Sequence, residues 1–67
     1  MQLVINGVPR DVPDGLSVAT LIEHLEMKSD RVAVELNRDI VSRDRWAATP
    51  LGNDDRLEIV HFVGGGL

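Results

Sequence analysis

Met1-Gln2-Leu3-Val4-Ile5-Asn6-Gly7-Val8-Pro9-Arg10-Asp11-Val12-Pro13-Asp14-Gly15-Leu16-Ser17-Val18-Ala19-Thr20-Leu21-Ile22-Glu23-His24-Leu25 opens the chain and changes hydrophobic period partway along. Residues 1–5 read as a strand. Asn6-Gly7 is a two-residue hairpin signal, because both turn positions need positive φ and these two residue types supply it at least cost. Residues 8–12 then pair back as a second strand until Pro13-Asp14-Gly15 stops it. Ser17 is placed to cap a helix by accepting a bond from a free backbone N–H. Val18, Leu21, Ile22 and Leu25 follow at i, i+3, i+4 and i+7 and share one face. Glu23 and Glu26 fall on or near the other side. The helix is expected to fade around residues 27–29.

Working outward, residues 31–37 alternate as a third strand, with Val32, Val34 and Leu36 on one face and Ala33, Glu35 and Asn37 on the other. Asn37-Arg38-Asp39 turns into the short apolar stretch Ile40-Val41. Residues 44–48 suggest one helical turn, ended at Thr49-Pro50 because a residue before proline avoids the α region. Asn53-Asp54-Asp55 makes another turn. Residues 56–63 form the last strand, with Leu57 and Ile59 to one side and Glu58, Val60 and Phe62 to the other. One amphipathic helix has to bury its stripe on one face of a sheet. The first and last strands can lie side by side in the centre, joined by a right-handed crossover. The expected fold class is therefore α+β, a ubiquitin-like β-grasp with a mixed sheet of four to five strands packed on one helix.

Sixty-seven residues suffice for a single domain, and a chain of this size buries only about 60% of its unfolded surface. There is no room for a deep cleft, so a self-contained enzyme is not expected. No Ser/His/Asp set, phosphate loop or paired carboxylate suggests catalysis. Without cysteine there are no disulfides, thiolate metal sites or thiol nucleophiles, which fits a cytoplasmic protein. His61 has only His24 as a companion, so no metal site is predicted. The opening residues carry neither a signal-peptide pattern nor a membrane span. A net charge of −4 with no basic stripe argues against nucleic-acid binding.

The run His61-Phe62-Val63-Gly64-Gly65-Gly66 carries the functional signal. Glycine loses the most conformational entropy on ordering and has no side chain to bury, so three in succession add nothing to a core. They do form a thin thread, expected to be flexible over residues 63–66 beyond a globular body of residues 1–62. At about 3.3–3.6 Å per extended residue, that thread reaches about 13–14 Å. Composition alone equally allows an inert end.

These residues resemble the thiamine-biosynthesis sulfur carrier family, ThiS, nearly end to end. The resemblance rests on Asn6-Gly7, on Val32-Ala33-Val34-Glu35-Leu36-Asn37, on Ile40-Val41 with Arg43, Trp46, Thr49 and Leu51, and on the segment running from Leu57-Glu58-Ile59-Val60 through to Gly66. It implies a carrier, not an enzyme, whose Gly66 carboxylate is adenylated and then converted to a thiocarboxylate for thiazole synthesis. Implied partners are an E1-like adenylating enzyme, thiazole synthase and a sulfur donor such as a cysteine desulfurase system. The implied cofactor use is ATP consumed by the adenylating partner, with none bound by the carrier.

Val63, Gly64 and Gly65 are the expected recognition segment of the tail. Val60 and Phe62 either dock a partner beside it or cover a second small core under residues 42–52. Trp46 is expected to anchor the irregular segment, with partner contact as the alternative. Arg43 is left between loop carbonyls and an acidic partner.

The family commonly has proline where Ser42 stands and a Gly-Asp turn where Asp54-Asp55 stands, so a slightly strained turn is expected there. The family ends at the last glycine, and here Leu67 follows; a tag scar or a trimmed precursor accounts for it. Alternative readings are a carrier like the small subunit of molybdopterin synthase, a protein-conjugating modifier, or a β-grasp interaction module with an inert tail.

Overall fold

The computed structural model of the protein describes residues 1–62. Val63, Gly64, Gly65, Gly66 and Leu67, and with them the expected tail and its reacting carboxylate, lie outside the described residues. Asn6 and Gly7 adopt φ 51 and 81 and join β1 (Gln2–Ile5) to β2 (Val8–Asp11), with Ile5 opposite Val8. This is the tight hairpin predicted from the pair, in the turn form whose twist matches that of the strands. The Met1 ammonium extends the ladder, donating to the Val12 carbonyl and to Asp14 Oδ1, both at 2.7 Å. That hydrogen bond, and the charge behind it, hold the Asp14 carboxyl below its ordinary value.

The helix α1 (Val18–His24) starts where Ser17 predicted. Ser17 Oγ accepts from the Thr20 N–H at 3.2 Å and Thr20 Oγ1 accepts from the Ser17 N–H at 2.7 Å, a reciprocal cap that satisfies two otherwise free donors. The helix ends earlier than expected. Glu26 turns to φ 59, its N–H donates to the Glu23 carbonyl at 2.9 Å, and the Met27 N–H donates to the Ile22 carbonyl at 3.1 Å. Together these bonds make the paired closure that terminates many helices, in which glycine usually takes the left-handed position. A short 3-10 helix (Ser29–Arg31) leads into β3 (Val32–Leu36).

A second two-residue turn, Asn37 at φ 50 and Arg38 at φ 76, connects β3 to β4 (Asp39–Val41), with Leu36 opposite Asp39. The predicted helical turn is a 3-10 helix (Arg43–Ala48). The Asp54 turn is left-handed, φ 71, as anticipated, and is steadied by Asp55 Oδ2 accepting from the Gly52 N–H at 2.7 Å. The last strand, β5 (Arg56–His61), ends slightly before the expected residue 63.

The five strands lie in the order β2-β1-β5-β3-β4. β1 and β5 are parallel, and β3 is antiparallel to β5, giving the mixed β-grasp sheet. Leu3, Ile5, Val32, Val34, Leu57 and Ile59 from the sheet meet Val18, Leu21 and Ile22 from α1, with Trp46 and Leu51 closing the core. Among the described residues no polar or charged side chain is buried. Pro9 sits on the outer strand β2, where a missing N–H costs no ladder bond and discourages pairing with another chain.

Candidate functional site

β5 is the central strand and carries the chain toward its glycine end. Alternation sends Leu57 and Ile59 into the core and leaves Glu58 and Val60 exposed. Pairing with β3 sets Val60 opposite Ala33 and Glu58 opposite Glu35, while Ile40 on β4 lies opposite Glu35. The Phe62 N–H donates to the Arg31 carbonyl at 2.9 Å, so pairing continues one step past the strand. The face turned away from α1 thus bears Arg56, Glu58 and Val60 in succession along β5.

Two asparagines hold this strand in place. The parallel ladder between β1 and β5 ends at Ile5 and Leu57, leaving one side of Ile59 without a strand partner. Asn6 fills that place. Its Nδ2 donates to the Ile59 carbonyl at 3.1 Å, and its Oδ1 accepts from the Ile59 N–H at 2.7 Å. At the start of β5, Asn37 Oδ1 accepts from the Arg56 N–H at 3.0 Å, and Asn37 Nδ2 donates to Asp55 Oδ1 at 3.1 Å. Both asparagines occupy the left-handed region, which the Asn side chain tolerates better than most.

Val60 is 58% exposed and Phe62 46%. The alternative in which they cover a second core under residues 42–52 is corrected by the packing of that segment. It lies against α1: the Val18 N–H donates to the Thr49 carbonyl and the Leu51 N–H to the Leu16 carbonyl, each at 3.0 Å. Trp46 is the anchor expected of it, buried to 3% with Nε1 donating to the Val41 carbonyl at 2.9 Å. The Arg43 guanidinium lies over the Trp46 ring, 5.8 Å from its centroid, rather than on loop carbonyls.

Ile40, 80% exposed beside Val60's neighbours, is a member of the apolar patch that sequence reading missed. Its position in a short apolar stretch was visible; its register against Glu35 was not. An exposed apolar patch of this kind marks an interaction surface more often than an isolated exposed side chain does. Val63, Gly64, Gly65 and Gly66 fall outside the described residues, so the patch is placed by its last described neighbour, Phe62.

Comparison with known proteins agrees with this architecture. The ThiS family profile matches residues 3–66. The sulfur carrier protein ThiS of Bacillus subtilis is 36% identical over 68 residues, covering 97% of this chain and all of that protein. A thiazole synthase of Magnetococcus marinus is 39% identical over 66 residues, covering 98% of this chain; the chain spans only 20% of that relative's length. A thiazole synthase of Paramagnetospirillum magneticum is likewise matched over 20% of its length, at 42% identity. The crystal structure of the thiamine biosynthesis protein ThiS from Geobacter metallireducens superposes with a TM-score of 0.85 at 35% identity, covering 98% of this chain and all of that one. On its sequence and on its fold alike, the chain belongs to the ThiS family.

Proposed function

We propose that this chain is a non-catalytic sulfur carrier for thiamine thiazole synthesis, and that Gly66 is the residue that carries the sulfur. The observation that bears most weight is the full-length match to a protein named as a sulfur carrier, on a fold whose central strand leads directly to the glycines. A carboxylate is a poor electrophile because its charge is delocalised and oxide is a poor leaving group. A Gly66 carboxylate oxygen attacks the α-phosphorus of ATP on an E1-like enzyme, and pyrophosphate leaves. The terminal sulfur of a persulfide on a cysteine desulfurase system then adds to the acyl carbon and AMP leaves, giving an acyl disulfide. A second thiol of that system attacks the donor cysteine's sulfur, forms a disulfide with it, and frees the tail as a thiocarboxylate. Thiazole synthase is the acceptor. Relatives named thiazole synthase that contain a stretch like this chain support that pairing.

In this reading ATP is bound by the adenylating partner and the carrier holds no cofactor of its own. Val63, Gly64 and Gly65 form the part of the tail that the partner's channel recognises, because a Cβ there both widens the thread and restricts its backbone. Val60 and Phe62 dock the body beside that channel. The test uses a chain ending at Gly66, mixed with ATP, the adenylating enzyme and a sulfur source. Intact mass should rise by the difference between a sulfur and an oxygen atom, and the product should support thiazole formation by the synthase. A chain that is never adenylated, with active partners present, removes the proposal.

A further inference from the structure

We infer that Glu35 and Glu58 act together as the specificity element of the docking face, receiving one cationic side chain that the adenylating enzyme presents from within an apolar patch. The inference rests on the carrier reading above and adds to it the chemistry of the partner's surface. Glu35 on β3 lies directly opposite Glu58 on β5, and both are exposed. Side chains so placed have Cβ atoms about 4.5–5.5 Å apart, and like charges at such positions oppose sheet formation. Among the described residues the one ion pair within 4.0 Å is that of the Met1 ammonium with Asp14, so neither glutamate is offset by a cation at contact distance. The pair therefore weakens the isolated fold at the centre of its sheet.

Its surroundings say what relieves it. Val60, Ala33 and Ile40 share a hollow with the two glutamates, so a partner seated there removes water from both carboxylates. Two carboxylates desolvated side by side demand a cation, and a guanidinium or ammonium between them makes charge-assisted bonds to both. Arg38 and Arg56 line an adjoining hollow that the two glutamates also border, on the side away from the tail and, among the described residues, with no ion pair at contact distance. Cation, carboxylates and apolar patch thus follow one another toward the tail, and only one orientation of a complementary partner matches that order. A second copy of this chain is the wrong occupant, since a two-fold contact centred on the pair brings the carboxylates of both copies together on a chain already carrying a net charge of −4.

The test is calorimetric titration of the full chain into the adenylating enzyme of its own organism, at about 0.05 M and about 0.3 M NaCl, which lie on either side of physiological screening. The double variant E35Q/E58Q should bind about tenfold more weakly at the lower salt and lose most of the salt dependence. The free double variant should melt at a higher temperature than the wild type, because the repulsion is gone, so weaker binding cannot be ascribed to misfolding. Phe62→Ala should weaken binding by a similar factor at both salts. If Phe62→Ala weakens binding while E35Q/E58Q binds as the wild type does, the inference is overturned and the docking surface stands. A wild-type chain that does not bind removes both. Dimerisation of the wild type through this face, abolished by Phe62→Ala, also overturns the inference.

Discussion

Asn6 serves two structures at once. Its backbone supplies the left-handed turn position at φ 51, and its side chain supplies the bonds to Ile59 that a neighbouring strand would otherwise make. The first role is legible from Asn6-Gly7. The second is not, because the partner lies 53 positions away and is found only once β1 is known to lie parallel to β5. Asn6→Gly separates the roles: glycine accepts the turn geometry but cannot bond to Ile59. Leaving partly buried backbone groups unpaired costs about 1–3 kcal/mol, and urea unfolding should show a loss of that size. A loss under about 0.5 kcal/mol would class the change with ordinary surface substitutions and make the amide dispensable.

Asp14 offers a second test at this scale. Its carboxyl lies below the ordinary 3.8, through the hydrogen bond from the ammonium and the charge behind it, so folding favours the ionised form. The stabilisation is present above the unfolded-state pKa and is lost as pH falls through the lowered native one. The thermal midpoints of wild type and Asp14→Asn should therefore differ at neutral pH and converge in strong acid. Because Asp14 is exposed, added salt should also shrink the difference.

Among the elements, α1 shows where local patterns suffice and where they do not. Ser17 and the apolar stripe Val18, Leu21, Ile22 and Leu25 fix its start and its buried face. The pattern places its end too late because no glycine follows; Glu26 takes the left-handed closing position instead, at φ 59. A residue with a Cβ pays about 1–2 kcal/mol for left-handed geometry, partly offset by the extra freedom glycine has when unfolded. Glu26→Gly should raise stability by about 0.5–1 kcal/mol in denaturant unfolding, with the fold unchanged. A loss instead would assign the Glu26 side chain a role its backbone does not explain. β3 and β5 show the same division. Their alternation put Ala33, Glu35, Glu58 and Val60 on outward positions, but which outward residue faces which depends on register. The opposition of Glu35 and Glu58 could be read only from the folded sheet.

At the scale of the whole molecule, the described core and the proposed chemistry occupy different stretches of the chain. The described core draws on residues from Leu3 to Ile59, and the bonds that fix β5 include those of Ile59 and Phe62. The carrier reading places the chemistry after that point, on Gly66. The overall architecture was legible because hairpin, amphipathic helix and alternating strands each announce themselves locally and permit few arrangements. The reading of a tail rests on the opposite reason, since three glycines have no structural purpose in a core; the tail itself lies outside the described residues. Between them, Val60 and Phe62 were already visible as outward positions of the last strand, while the place of Ile40 and the opposition of Glu35 and Glu58 needed coordinates.

The separation predicts that Gly65→Val, and truncation after Phe62, leave the unfolding free energy within about 0.5 kcal/mol of the wild type, as for a change outside the core. Starting from a chain ending at Gly66, Gly65→Val should nevertheless abolish adenylation, because a β-branched side chain both stiffens and widens the thread. Pyrophosphate release with the adenylating enzyme measures the second effect and urea unfolding the first. A variant that folds normally and is adenylated at the wild-type rate would show that the enzyme does not read a thin glycine thread. A variant that loses stability would show that the fold depends on the tail, and the division between body and reactive end would then be wrong.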